Sequence, residues 1–539
     1  MTQAVKNILF IMCDQLRADY LSCYGHPRLQ TPHIDRLAKL GMRFERAYVQ
    51  SPICGPSRMC MYTGRYISTH GATLNYAPLP VSEWTLGDYM QELDVRTAVS
   101  GKSHVVPNTV DLKRLNIPAD SQLGQHLAEG GFEPYFRDDG IHPDVNPDRF
   151  ADYNKHLREQ GYNGHNPWHK YAHGFKADGQ FRSGWFMENS SEAAEIPEEL
   201  SETAVTTTQA INFIKEATAA EQQWCLHLSY IKPHWPFMAS EPYNDMFSAA
   251  DVLPANRHPT ELEEPHPVIA AFMRHADSEV YTRPNVRETV IPTYMGLIKQ
   301  IDDEIGRLLA FLEENNLLDS TLIVFTSDHG DYLGDHWLGE KDLFHEPSVR
   351  VPLIVVDPSP AANATRGTVE QRLVETIDLL PTFIDALGGH IPEERLEGRS
   401  LLPLLRGETV EWRSFVVSEI DYAFRKAREW LDLPPSECRA TMLRTDRWKY
   451  IHYENFRPQL FDLENDPNEL IDLGAGSAFE SVRVDLEQQL FRWFRRRKTR
   501  TTLSDEQIKA MFGGWNQIKR GIYVGYWSPD DVPAAAKGM

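Results

Sequence analysis

A series of short strand-forming runs, separated by helical patterns and longer insertions, constrains this chain more than any other feature. They are Ile8–Met12, Arg96–Ser100, Trp224–Tyr230, Thr321–Thr326 and Val351–Val356. The first is apolar throughout, as a strand buried on both faces requires. The helical patterns include His33–Gly41, where Ile34, Leu37 and Leu40 recur and Gly41 closes the turn, then Ser82–Leu93, Thr203–Ala217 and Glu375–Leu387. Thr293–Asn315 is the longest, with Met295, Ile298, Ile301, Ile305, Leu308 and Leu312 on one face. Strands alternating with helices predict an α/β fold: a large, mostly parallel sheet covered by helices on both faces.

Two segments break the alternation. Val105 to about Glu199 is polar, rich in aromatics and punctuated by Pro and Gly, and roughly Ala239 to Pro284 is a second irregular segment. They read as insertions with little regular structure, the first lying over the active face. From about residue 405 the character changes again. Phe415–Val417, Ala440–Arg444 and Lys449–Tyr453 read as strands of a meander, and Phe479–Arg497 as a helix. A chain of 539 residues exceeds one ordinary core. The expected division is a catalytic domain over 1–404 and a smaller α+β subdomain over 405–539. The subdomain's tail carries Trp515, Tyr523, Tyr526 and Trp527 and is expected to make a subunit contact.

Composition removes several classes of function. The net charge of -22 argues against nucleic acid as a partner, and an anionic substrate would need a locally positive pocket. Six Cys in so long a chain do not form a disulfide framework, which fits a reducing cytoplasm. No apolar run approaches a membrane span, and Asn7–Met12 leads into Cys13-Asp14 and not into small residues at a cleavage site.

The chemistry gathers where strands end. In open α/β sheets ligands bind beyond the carboxyl ends of the strands. Here Asp14 and Gln15 follow the first run, Lys102 and His104 the second, His234 the third and Asp328-His329 the fourth. Each alone reads equally as a helix cap or a loop residue; their recurrence at four strand ends does not. Pro52-Ile53-Cys54-Gly55-Pro56-Ser57-Arg58 places a Cys just before a Pro suited to the first turn of a helix. Cys54 then meets the positive end of the helix dipole, and Arg58, one turn on, adds a fixed charge. Asp14, Gln15, Asp328 and His329 offer mostly hard oxygen ligands with one imidazole. That suits a single divalent cation, Mn²⁺, Ca²⁺ or Mg²⁺, better than a thiolate zinc site.

Cys-x-Pro-Ser-Arg at 54–58, followed by Thr63-Gly64-Arg65, resembles the signature of the type I sulfatases of the alkaline phosphatase superfamily. The resemblance extends to Gly101-Lys102-Ser103-His104, Pro233-His234-Trp235-Pro236, a Lys downstream of the metal Asp (Lys341), and the Asp462–Pro467 turn of the C-terminal subdomain. Asp14-Gln15 and Asp328-His329, where many sulfatases carry Asp-Asp and Asp-Asn, resemble the branch of choline sulfatases and phosphonate monoester hydrolases. Phosphonate hydrolases tend to replace the Lys-x-His pair that this chain keeps, which favours sulfate esters.

The resemblance implies a mechanism. A formylglycine-generating enzyme oxidises Cys54, and the hydrated aldehyde, held by the metal and Arg58 and helped by Asp328, attacks sulfur. Lys102 and Lys341 hold the sulfuryl charge, with Asn75 as a further contact. His234, with Lys341, protonates the departing alcohol, and His104 removes the second hydroxyl's proton so that sulfate leaves. The substrate is a small sulfate ester, aryl or similar, and a dimer or tetramer is expected. Three rival readings stand beside this one: a phosphonate monoester or phosphodiester hydrolase with the same nucleophile, a choline sulfatase, and a metal- or anion-binding protein without catalysis. A two-metal phosphatase lacks its second ligand cluster here, and a thiol-redox enzyme lacks Cys-x-x-Cys spacing.

Overall fold

The computed structural model describes residues 5–140, 143, 152–511 and 527–532. Its main sheet comprises β1 (Asn7–Asp14), β2 (Met42–Tyr48), β3 (Arg96–Gly101), β4 (Glu133–Arg137), then, after a separate hairpin of β5 (Gly174–Ala177) and β6 (Gln180–Ser183), β7 (Trp224–Pro233), β8 (Thr321–Ser327), β9 (Arg350–Val356), β10 (Val369–Glu370) and β11 (Val374–Glu375). The order is β10-β2-β9-β8-β1-β7-β3-β4, with β11 also on β2. β1 runs parallel to both neighbours, β7 and β8, while β9 runs antiparallel to both of its own. The expected mostly parallel sheet is present.

The absence of alternation in β1 has its physical cause on both sides of the sheet. Ile8, Phe10 and Met12 enter one apolar core, with Leu380 and Phe383 of the helix Leu379–Ala386. Leu9, Ile11 and Cys13 enter the other, with Ile298, Ile301 and Ile305 of the long helix. That helix starts at Val286 and not after Pro292, which it accommodates in its interior although Pro ordinarily marks a boundary.

The first insertion differs from expectation. It holds the helices Thr109–Arg114, Gln122–Ala128 and Asp152–Glu159, and it supplies β4 to the sheet edge. It also has its own apolar core, in which Tyr153, Leu157, Trp168, Phe175 and Ile196 pack with Met238. The elements are too short for a hydrophobic period to emerge from sequence. The second insertion likewise carries the helix Pro267–Met273.

Beyond residue 405, β12 (Phe415–Asp421), β13 (Arg439–Thr445), β14 (Trp448–Tyr453) and β15 (Gln459–Asp462) form an antiparallel meander in chain order. The helix Glu480–Arg495 covers it through Leu486, Leu490 and Trp493. Its other face, through Val416, Met442 and Ile451, joins the same apolar core as the main sheet. Of the tail aromatics, Trp515, Tyr523 and Tyr526 lie outside the described residues, and Trp527 is exposed.

Candidate active site

Cys54 opens a ten-residue helix, Cys54–Thr63, whose residues are all buried. Ile53 before it is extended, Pro56 sits in the first turn, and Gly64, at φ 64°, closes the last turn in the left-handed conformation. The helix points its N-terminus at the carboxyl ends of β1, β3, β7 and β8. Those four ends meet there.

Arg58 ties them together. Its Nε donates to Asp328 Oδ2 (2.8 Å), its Nη1 to the Lys102 carbonyl (2.9 Å) and Ser229 Oγ (2.8 Å), and its Nη2 to Asp14 Oδ2 (3.3 Å). Asp14, Arg58 and Asp328 have no exposed surface. The Lys102 ammonium also donates to Asp14 Oδ2. At the end of β1 the backbone turns through Gln15 in the left-handed region, at φ 67°. This aims the Gln15 N–H at Asp328 Oδ1 (3.1 Å) and stitches β1 to β8.

Cys54 Sγ lies 3.0 Å from His329 Nε2 and 3.8 Å from Asp14 Oδ1. Ligand atoms of Asp14, Cys54, Asp328 and His329 all fall within 4.8 Å of one another. Two carboxylates and one imidazole, converging in a buried space, fit a hard divalent cation. Gln15, the fifth expected ligand, is held by two side chains. Gln15 Oε1 accepts from Lys341 Nζ (2.9 Å) while its amide donates to Asp331 Oδ2 (2.5 Å). Its oxygen keeps a second lone pair beside the Lys341 contact, directed by these two hydrogen bonds.

The protonation states follow from these neighbours. Burial pushes the Asp14 carboxyl up, but the Lys102 ammonium and the Arg58 guanidinium outweigh it and hold the group well below the usual range. Burial and Asp14 raise the Cys54 thiol, and Lys341, Lys102 and His329 bring it below its ordinary value. Burial draws His329 down, yet Asp328 and Cys54 carry it to about 9. Burial with Lys341 depresses His234, and burial with Lys102 depresses His104, so both rings are neutral at neutral pH.

His234 Nδ1–H donates to the Trp235 carbonyl (2.6 Å), leaving the Nε2 lone pair facing Lys341 Nζ at 3.3 Å. His104 is held by its own backbone: Asp139 Oδ1 accepts from the Ser103 N–H (2.8 Å) and the His104 N–H (3.2 Å), while the ring's buried Nδ1 has no hydrogen-bond partner. Asn75 has a structural role of its own. Its Oδ1 accepts from the Gly55 N–H at 2.9 Å, so it steadies the start of the Cys54 helix.

Four supporting residues escaped the sequence reading. Ser229 and Asp139 orient Arg58 and the His104 loop, and Asp331 fixes the Gln15 amide. Asp342, beside Lys341, pairs at 2.9 Å with Arg425, between β12 and β13. Ser229 alone carried a signal, as a hydroxyl near the end of an apolar strand.

Comparison with known proteins gives this geometry a lineage. Residues 6–389 match the sulfatase family, and residues 334–496 match the C-terminal region of N-sulphoglucosamine sulphohydrolase. The multifunctional alkaline phosphatase superfamily protein PehA of Trinickia caryophylli is 30% identical, over 90% of this chain and 95% of that protein. A choline-sulfatase of Rhizobium meliloti is 28% identical, over 92% and 86%. Among solved structures, a phosphonate monoester hydrolase of Agrobacterium radiobacter superimposes with a TM-score of 0.80 at 26% identity, covering 93% of this chain and 99% of its own. The one from Silicibacter pomeroyi gives 0.79 at 27%, covering 93% and 98%. A Cys-headed buried helix at four converging strand ends, with a family match over most of the chain, places this protein in the sulfatase family of the alkaline phosphatase superfamily.

Proposed function

We propose that this chain hydrolyses sulfate monoesters, aryl sulfates foremost, through a nucleophile built on Cys54 and with one divalent cation, Mn²⁺ or Ca²⁺ ahead of Mg²⁺. The observation that carries the reading is the setting of Cys54 beside a buried carboxylate pair and the charges of Lys341 and Lys102, with neutral His234 against Lys341. The cation, when bound to Asp14, Asp328 and His329, would polarise a sulfuryl oxygen and offset its charge. The reading includes conversion of Cys54 to formylglycine by a formylglycine-generating enzyme, and a homo-oligomer in the cytoplasm; the six free thiols favour a reducing compartment.

The chain's own residues divide the work. Arg58 gives four of its five N–H groups to Asp14, Asp328, Ser229 and a carbonyl and so orients the carboxylates. Lys102 and Lys341 present ammonium groups to the transferred group in a water-poor pocket, where fixed charges act strongly. Asp328 accepts a proton from the attacking hydroxyl. His234 and Lys341 share a proton across 3.3 Å and pass it to the departing oxygen. His104 Nδ1, without a partner, is free to take a proton in the second half-reaction. Beside His234, the rings of Trp235 and Trp185 meet edge-on at 4.9 Å and form a wall suited to an aryl group.

A second reading, a phosphonate monoester or phosphodiester hydrolase with the same nucleophile, is favoured by the likeness to two solved phosphonate monoester hydrolases. Choline sulfate is the third candidate, its quaternary ammonium matched to the same aromatic wall. Two measurements separate them. The mass of the tryptic peptide Ala47–Arg58, from a host with a formylglycine-generating enzyme, should show an aldehyde in place of the thiol. Then kcat/KM is compared on an aryl sulfate, choline sulfate and an aryl phosphonate monoester. An intact thiol removes the proposed nucleophile, and a higher kcat/KM on the phosphonate moves the assignment to the second reading.

A further inference from the structure

Lys232 has no part in the chemistry above, yet its ammonium is buried close to the site. Its position has a structural cause. Cys13 pairs with Tyr230 across the β1–β7 ladder and Asp14 pairs with Pro233, so β7 carries extra residues there. Such a bulge re-aims a side chain. Lys232 Nζ donates to the carbonyl of Pro236 at 3.0 Å and to that of His234 at 3.3 Å, clasping the turn that carries the His234 ring.

Behind it, Glu202 Oε2 stands 3.8 Å from the same ammonium. Glu202 is itself buried; it accepts from Trp168 Nε1 and lies 3.1 Å from His173 Nε2. Trp168 and His173 belong to the first insertion, and Trp168 packs in that insertion's own core. A buried Lys–Glu pair is a poor device for stability, because apolar residues of the same volume pack without the desolvation cost. Its geometry, however, connects the seating of the insertion to two carbonyls of the His234 turn.

We propose that Lys232 and Glu202 are positioning residues for proton donation at His234. Lys232 fixes the turn, and Glu202 couples Lys232 to the docked insertion through Trp168 and His173. The inference rests on His234 being the group that protonates the departing oxygen. It makes the insertion a support of the acid as well as a cover for the site.

The test compares two sulfate esters on the mature, metal-loaded enzyme. 4-Nitrophenyl sulfate releases a phenolate that needs little help, whereas an alkyl sulfate needs a proton as it departs. Lys232→Met and Glu202→Gln should lower kcat/KM about 100-fold on the alkyl ester and less than about threefold on the nitrophenyl ester, as loss of general acid catalysis does. Lys232→Arg should recover part of that loss, and adding Lys232→Met to His234→Gln should cost nothing further. Equal losses on both esters, or additive losses in the double variant, overturn the inference while leaving the role of His234 intact. If His234→Gln itself shows no dependence on the leaving group, the assignment of His234 falls and the inference with it. Should Lys232→Met fail to fold, Glu202→Gln, which keeps size and shape, carries the same comparison. If the enzyme prefers phosphonate monoesters, the matching pair of nitrophenyl and alkyl phosphonates replaces the sulfates.

Discussion

The two sides of Cys54 are built on opposite principles. On the floor, Asp14, Arg58 and Asp328 have no exposed surface, and Arg58 spends its nitrogens on four partners drawn from β1, β3, β7 and β8. On the rim, His104 and His234 are half-buried; one leaves Nδ1 without a partner, and the other offers Nε2 only to Lys341. Buried polar groups are ordinarily satisfied. The floor obeys that rule and holds its shape; the rim breaks it where a substrate would arrive. Hydrogen-bond capacity left unspent marks where protons can move, and capacity fully spent marks what keeps the strand ends together.

Five measurements put this contrast at risk. The largest effect is expected from Cys54→Ala, which should remove at least about 10⁵-fold of kcat/KM with little change in melting temperature. Arg58→Met strikes the floor. It removes the guanidinium shared by two buried carboxylates, leaving Asp14 to Lys102 and Asp328 to the Gln15 N–H, and should cost about 3–5 kcal/mol in denaturant unfolding, with activity lost alongside. An Arg58→Met variant as stable as wild type would erase the distinction. His104→Gln strikes the rim and should lower kcat about 10²–10³-fold while leaving the unfolding midpoint unchanged.

Smaller effects test how the rim is held. Burial pushes the Glu202 carboxyl up, but His173 and Lys232 outweigh it and take it down to about 2. A carboxyl depressed in the folded state stabilises above its unfolded pKa and loses that contribution as pH falls through the folded one. Wild type should therefore lose melting temperature between about pH 4.5 and pH 2 more steeply than Glu202→Gln. The mildest is Trp235→Leu, which removes an edge-on ring pair worth about 1 kcal/mol. It should raise KM for an aryl sulfate severalfold and leave kcat little changed.

The floor was more legible in sequence than its supports. β1, β3 and β8 announced themselves as strand-forming runs, and Asp14, Lys102 and Asp328 stood at their ends because a strand's last residue is fixed by where the strand pattern stops. Pro56 gave the helix start and so the place of Cys54. The supports had no such local signature. Asp139 reaches the His104 loop and Asp331 the Gln15 amide across 35 and 316 residues of chain, through hydrogen bonds that neither propensity nor periodicity encodes. Asn75 shows the limit from the other direction. A polar residue near the nucleophile invited a substrate contact, and nothing in the sequence pointed to the second use of its oxygen, which accepts from the Gly55 N–H. The insertion misled for a third reason: its short helices and hairpin draw their stability from a shared aromatic core and not from any single periodic face.

The burial of Cys54 also sets a clock. Its side chain is 2% exposed once the sheet has closed over it, and that closure needs β8, completed only at Ser327. At translation rates of about 5–20 residues per second, the ribosome takes on the order of tens of seconds to travel from one to the other. An enzyme that reads position 54 within an extended stretch of its neighbours has that interval in which the segment is still unfolded. A chain that folds before such an encounter would be intact and stable, with its thiol unchanged.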